Sequence, residues 1–283
     1  MKVKQKVLMK YLSARLNILA LISKEKAAEK AIEFFSTPKF KKKKDNPPVF
    51  EQGRRQVLVL NEKKIKGYQW NPESEKKVLI LHGFESNSRN FFRYIEELIK
   101  RNFQVVAFDA PAHGKSDGKT IILPEYVEMI ELLHQKFGPF QYYMAHSFGG
   151  IALTHFLEKT PHLPTDKIAL IAPATETLTA INLYFKAFNL NEEIRPAFFK
   201  LIQEKTGHPA EYFSINRAIE NIQAKVKWYH DKQDYITPLA DIKKTIEKKL
   251  PNIEFSISNG LGHNRIYREE TIVQDVIEFL TKE

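Results

Sequence analysis

The order of local signals along this 283-residue chain predicts an α/β fold: a mostly parallel sheet with helices on both faces. Three observations carry that reading. Short apolar runs recur at 78–81, 105–108 and 168–172, each the signature of a strand buried on both sides. Segments of helical periodicity lie at 91–100, 125–137 and 151–158. Strand and helix signals also alternate rather than cluster by type, and alternation builds a parallel sheet because each crossover returns over one face.

The elements follow in order. Residues 1–22 place Val7, Leu8, Tyr11, Leu12, Leu16, Leu19 and Ile22 near helical spacing, interrupted by Lys10 and Arg15. An amphipathic helix fits this pattern. A bilayer span does not, because the stretch is too short and too charged. No small-residue cleavage site of a signal peptide is legible before Lys24. Such a helix can lie on a membrane surface, or pack on the body or on a second subunit. The lysine run 41–44 and the following Asp45-Asn46-Pro47-Pro48 predict an exposed hinge. The expected division is thus a basic helical extension and hinge at 1–50 and a main domain at 51–283.

Within that domain, residues 56–60 and 64–70 read as paired strands with Asn61-Glu62 near the turn. A further strand at 141–145 follows the first apolar runs, and 225–229 and 253–257 supply the last two. Helices are expected near 239–249 and 269–280. Residues 175–221 break the rhythm. They are helical in pattern and carry Tyr184, Phe185, Phe188, Phe198, Phe199, Tyr212 and Phe213, which predicts a cap inserted into the sheet domain.

Composition narrows the chemistry. The absence of cysteine excludes disulfides, thiolate metal sites and cysteine nucleophiles. It also fits a reducing cytosol, so a cytoplasmic location is expected, with membrane association open. The net charge of +10 is concentrated in residues 1–66, which hold 18 Lys/Arg against 6 Asp/Glu. A basic arm of this kind attracts an anionic membrane surface, and the plainer reading is a solvated lysine face. Recognisable nucleic-acid modules are missing, so no nucleic-acid partner is expected. Neither a glycine-rich phosphate loop nor a metal-ligand spacing occurs, so no cofactor and no metal are expected.

The most informative segment is Met144-Ala145-His146-Ser147-Phe148-Gly149-Gly150, between a strand and a helix signal. A serine hydroxyl attacks well only when a base takes its proton and nearby donors hold the oxyanion. A tight strand-to-helix turn lifts the hydroxyl clear of the sheet and aims helix N-terminal N–H groups at it. Such a turn needs small residues two before and two after the serine, here Ala145 and Gly149. The pattern departs from Gly-x-Ser-x-Gly only by the methyl group of Ala145. Ser147 is the candidate nucleophile.

With three further motifs, the chain from about residue 56 onward resembles the α/β-hydrolase superfamily. His82-Gly83-Phe84 follows an apolar strand. Asp109-Ala110-Pro111-Ala112-His113-Gly114-Lys115-Ser116 is similar to the family's Asp-x-Pro-Gly-His-Gly-x-Ser, with Ala112 in place of glycine. The late segments Asp231-Lys232-Gln233-Asp234-Tyr235-Ile236-Thr237-Pro238 and Asn259-Gly260-Leu261-Gly262-His263 are similar to its acid and histidine loops. The resemblance implies an eight-stranded, mostly parallel sheet with a helical cap and, here, a helical extension. It implies His263 as the base and Asp234 as the acid that orients it, with Asp231 the alternative. It implies oxyanion donors at the backbone N–H groups of Phe84 and Phe148. His82 either braces its loop or lines a substrate pocket. His146 either touches substrate or packs. Asp109, His113 and Ser116 are expected to shape a turn.

The implied activity is cleavage of a carboxylic ester or thioester of a small molecule through an acyl-serine, with the cap aromatics hinting at an apolar or acyl-bearing substrate. An acyltransferase or a C–C bond hydrolase or lyase would use the same triad, and a non-catalytic binding member of the fold is the remaining alternative.

Overall fold

A computed structural model describes residues 3–39 and 46–282 of the chain. The expected hinge lysines at 41–44, with Asp45, lie outside the described residues. The chain forms two compact units, one of residues 1–37 with 176–214, the other of 38–175 with 215–283.

The larger unit is built on one eight-stranded sheet. Its strands are β1 (Arg54–Leu60), β2 (Lys63–Trp70), β3 (Lys77–Leu81), β4 (Gln104–Phe108), β5 (Tyr142–His146), β6 (Lys167–Ile171), β7 (Lys225–Asp231) and β8 (Ile253–Ser258). They stand in the order β1-β2-β4-β3-β5-β6-β7-β8. The β1–β2 and β2–β4 pairs are antiparallel, and every other pair is parallel. The reversals at one edge come from the short β1–β2 hairpin, whose turn residues Asn61 and Glu62 both take positive φ. The eight-stranded, mostly parallel sheet that the family resemblance implies is therefore present.

Burial explains the strand sequences. Val78 to Leu81 and Val105 to Phe108 are all buried, which is why they read as unbroken apolar runs. The helices Phe92–Lys100 and Glu270–Thr281 cover one face, where Tyr94, Ile95, Leu98, Val273, Val276 and Ile277 pack into a core with Val78, Ile80 and Val105. The edge strand β1 leaves Val57 and Val59 exposed. The residue after β6, Ala172, turns to φ 41 and ends that strand one residue earlier than its apolar run suggests.

The smaller unit joins segments that the sequence treats separately. Helices α1 (Val3–Ile22) and α2 (Lys24–Phe35) pack with the inserted helices Thr177–Phe188 and Arg195–Thr206. Ser23 caps α2 by accepting from the Lys26 N–H. Leu16, Ala20, Ala27, Ala28, Ala31 and Ile32 are buried with Ile181, Tyr184, Phe185, Phe188 and Phe198. Phe185 and Phe198 meet edge to face with centroids 5.3 Å apart, and Tyr184 donates its hydroxyl to the Ala31 carbonyl at 2.9 Å. Asn17 joins the same segments, donating to the Asn189 carbonyl and accepting from the Asn191 N–H. Four of the cap aromatics thus form the core of this unit rather than a pocket wall.

Candidate active site

Three loops at the C-terminal ends of parallel strands, after β5, β7 and β8, bring Ser147, Asp234 and His263 together. Ser147 sits between β5 and the helix Phe148–Leu157 with φ 52 and ψ −121, a region that costs a non-glycine residue about 1–3 kcal/mol. Hydrogen bonds hold it there. Its N–H donates to the Ile171 carbonyl at 3.2 Å, and its carbonyl accepts from Ala174 at 3.0 Å and Gly150 at 2.9 Å. Small neighbours are required by contact. A Cβ on Gly149 would lie 2.7 Å from the His82 carbonyl oxygen, and one on Gly83 only 2.8 Å from Ser147 Cβ. Ala145, paired with Leu81 and Leu170 inside the sheet, is fully buried, so its extra methyl group has a place.

His263 opens the short helix Gly262–Arg265, after a turn in which Gly260 and Gly262 take φ 95 and 61. Its Nε2 lies 2.9 Å from Ser147 Oγ and its Nδ1 lies 2.8 Å from Asp234 Oδ2. A carboxylate only accepts, so Nδ1 carries the proton and Nε2 faces the serine hydroxyl as an acceptor. All three side chains are buried. Burial pushes the Asp234 pKa up, but the hydrogen bonds from His263, from the Thr237 hydroxyl and from the Thr237 N–H outweigh it and hold the carboxyl below its ordinary value. Asp234 is therefore ionised where it meets His263.

The structure separates the two aspartates. Asp231, the alternative acid, accepts from the Gln233 N–H at 2.9 Å, the Ser258 hydroxyl at 2.7 Å and the Leu261 N–H at 3.0 Å. As the last residue of β7 it ties the end of β8 and the loop that bears His263 to that strand, and its partners do not include the His263 ring. Burial opposes its ionisation, yet those donors draw its pKa down to about 2.

Phe148 and Phe84 stand beside the serine, their rings 6.0 Å apart and edge to face. Neither backbone N–H has an acceptor among the described residues. His82 is spent on the backbone: Nδ1 donates to the Gly83 carbonyl at 2.8 Å and Nε2 accepts from Ala110 at 2.9 Å. That is the bracing role, and it leaves the ring no nitrogen for a substrate. Burial lowers its pKa to about 4, so it is neutral. His146 packs between His263 and Tyr267, at centroid distances of 4.8 and 4.4 Å, and donates Nε2–H to the His263 carbonyl at 3.2 Å. Asp109 accepts from Ser88 and from the Lys115 N–H, and Ser116 donates to the Asp109 carbonyl at 2.6 Å. His113 donates to the Pro111 carbonyl and accepts from Glu85. These residues shape the turn as expected, with Ala112 at φ 65 in the glycine position.

Thr237 is the site residue that sequence reading misses. Its hydroxyl donates to Asp234 Oδ2 at 2.8 Å and lies 3.1 Å from His263 Nδ1. The available signal was a threonine three residues after an aspartate, a spacing at which the carboxylate accepts the threonine N–H, here at 2.9 Å. Among the described residues, no cluster of His, Asp or Glu is arranged to hold a metal ion, and no helix is long and apolar enough to cross a membrane.

The arrangement can move a proton from Ser147 Oγ to His263 Nε2 and hold the resulting imidazolium against Asp234. The Bacillus subtilis (strain 168) uncharacterized protein YqkD is 25% identical over 250 residues, spanning 82% of this chain and 81% of that protein. The Pyrococcus furiosus esterase Pf2001 superposes with a TM-score of 0.66 at 19% identity, covering 87% of this chain and 96% of the esterase. The serine hydrolase CCSP0084 from Cycloclasticus zankles gives a TM-score of 0.60 at 16% identity, covering 82% of this chain and all of that one (100%). Residues 72–234, more than half of the chain and the stretch that runs from the approach to β3 to Asp234, match the family described as Serine aminopeptidase, S33 (Hydrolase_4), and the protein belongs to that family of α/β hydrolases.

Proposed function

We propose that the protein is a serine hydrolase that cleaves a carboxylic ester or thioester through an acyl-serine intermediate. The observation that carries this reading is the unbroken hydrogen-bonded line from Ser147 through His263 to Asp234. In the proposed reaction Ser147 Oγ attacks the acyl carbon while His263 Nε2 takes the hydroxyl proton. The carbonyl electron pair moves to oxygen, where the N–H groups of Phe84 and Phe148 receive it. Collapse expels the alcohol or thiol, which leaves with the proton from His263. Water then repeats the sequence on the acyl-serine: His263 takes its proton, its oxygen attacks, and the carboxylic acid departs as Ser147 regains its hydrogen. Asp234 holds the imidazole tautomer throughout and Thr237 steadies Asp234. An apolar or acyl-bearing substrate remains part of the proposal, and its support is the pair Phe84 and Phe148 beside the serine, not the cap aromatics.

A second reading is favoured by the family description, which names an aminopeptidase. The same machinery then expels an amine instead of an alcohol. A fluorophosphonate probe tests what both readings share. Labelling at Ser147, mapped by peptide mass and lost in Ser147→Ala, is expected. An unlabelled but folded protein would point instead to a binding member of the fold. Comparing kcat/KM for p-nitrophenyl esters with that for aminoacyl p-nitroanilides separates ester from peptide chemistry, and alcohol-dependent partitioning of the acyl group detects a transferase.

A further inference from the structure

We infer that the outward face of α1 is a docking surface for an anionic lipid membrane. The helix is apolar on two opposite sides. On one, Leu16 and Ala20 are buried and Met9, Leu12 and Leu19 pack against the same cluster. On the other, Tyr11, Ile18, Leu21 and Ile22 are 57%, 60%, 82% and 79% exposed. Positions 11, 18 and 22 fall on one stripe at helical spacing, with Leu21 beside it. A helix that covers a protein core ordinarily turns polar residues outward, and an apolar stripe left in the open marks a contact surface.

Charge selects the occupant. Residues 1–24 contain Lys2, Lys4, Lys6, Lys10, Arg15 and Lys24, and no Asp or Glu. Arg15 is exposed on the apolar stripe itself, its guanidinium 5.7 Å from the Tyr11 ring centroid, and Lys10 is exposed at its flank. Lys24 is paired with Glu193, which leaves Lys10 and Arg15 as the exposed cations beside the stripe, and apolar side chains flanked by such cations suit the boundary between headgroups and acyl chains of an anionic leaflet. Ile18, Leu21 and Ile22 enter the acyl region, and the long basic side chains bend back to the phosphates. A second copy of the chain fits poorly, because a two-fold contact through this face would set the same cations against themselves.

The test uses the full-length chain and sedimentation with vesicles of phosphatidylcholine, alone or mixed with phosphatidylglycerol. The protein is expected to pellet with the mixed vesicles, at least about tenfold less with phosphatidylcholine alone, and to be released by high salt. The triple variant Ile18→Ser, Leu21→Ser, Ile22→Ser is expected to lose partitioning by about tenfold or more while its circular dichroism is unchanged, since all three side chains are already exposed. The chain has no cysteine, so Leu21→Cys carries a single environment-sensitive fluorophore, whose emission is expected to shift to the blue on mixed vesicles. The inference fails if the protein stays in the supernatant with both vesicle types, or if the triple variant pellets as the parent does. It also fails if the fluorophore shifts without lipid as the protein sediments as a dimer, which would assign the face to a second copy.

Discussion

His146 donates its Nε2–H to the backbone carbonyl of His263, 3.2 Å away, while the two rings lie 4.8 Å apart. The residue before the candidate nucleophile thus fixes the main chain of the candidate base. Burial, with the neighbouring His263 ring, holds the His146 pKa well below its ordinary value, so the ring is a neutral donor and not a second base. His146→Leu removes the clamp and keeps much of the packing. A fall in kcat of about ten- to a hundredfold with little change in KM is expected, because small errors in placement of a reacting group cost rate rather than binding. Steady-state kinetics on a p-nitrophenyl ester reads both.

The two aspartates make opposite predictions. Asp234→Asn is expected to lower kcat by about 10⁴, since an amide opposite Nδ1 favours the wrong tautomer of His263. Asp231→Asn is expected to leave kcat within about tenfold but to destabilise the fold by about 2 kcal/mol, because an amide cannot accept from Ser258, Gln233 and Leu261 together. With a folded pKa of about 2 against 3.8 unfolded, the advantage of Asp231 is complete above about pH 4 and fades as pH falls toward 2. Urea unfolding of both proteins across that window measures it. A reversal of the two phenotypes would exchange the roles of the acids.

Gly83 is the contact point between two loops. A methyl group there would sit 2.8 Å from Ser147 Cβ and 2.9 Å from His146 Nδ1, so Gly83→Ala must displace the loop that carries the Phe84 N–H. Loss of one oxyanion donor costs about a hundredfold or more in kcat. Burst kinetics of acylation should show the loss in the first step, and the crowding is expected to cost about 1–3 kcal/mol of stability.

Acid should weaken the fold before it reaches the carboxylates. His82 and His155 are buried, and burial brings each to about 4, while His146 is held lower than its ordinary value by the same cause. Unfolding lets them titrate near 6.5, so below that pH the unfolded chain binds protons that the folded one refuses. Stability is expected to fall from about pH 6.5 down to about 4, and the contribution of His82 and His155 to level off below it. His82 alone accounts for about 3 kcal/mol over that range. Calorimetric Tm values at intervals between these limits test the slope, and His82→Asn should flatten it.

The centre of the sheet was legible because its strands are buried on both faces and therefore read as unbroken apolar runs, as in residues 105–108. The serine turn was legible because steric crowding restricts it to small residues, which the contacts of Gly149 and Gly83 bear out. The choice between Asp231 and Asp234 was only a matter of register until coordinates showed which carboxylate reaches the imidazole. Thr237 was not legible, because its value lies in a hydroxyl angle set by the Asp234 turn. Nor was the partnership of the first helices with the insertion, since pairing such as Tyr184 with Ala31 spans 153 positions and leaves no local pattern.

That long-range partnership has a consequence for how the chain is made. Helices α1 and α2 are translated before the sheet, yet the residues that bury Leu16, Ala28 and Ile32 follow only after most of it has been synthesised. Until Tyr184, Phe185 and Phe198 arrive, the nascent chain carries an apolar helix pair without its native partners. Its apolar face therefore waits for its native cover until six of the eight strands have been made.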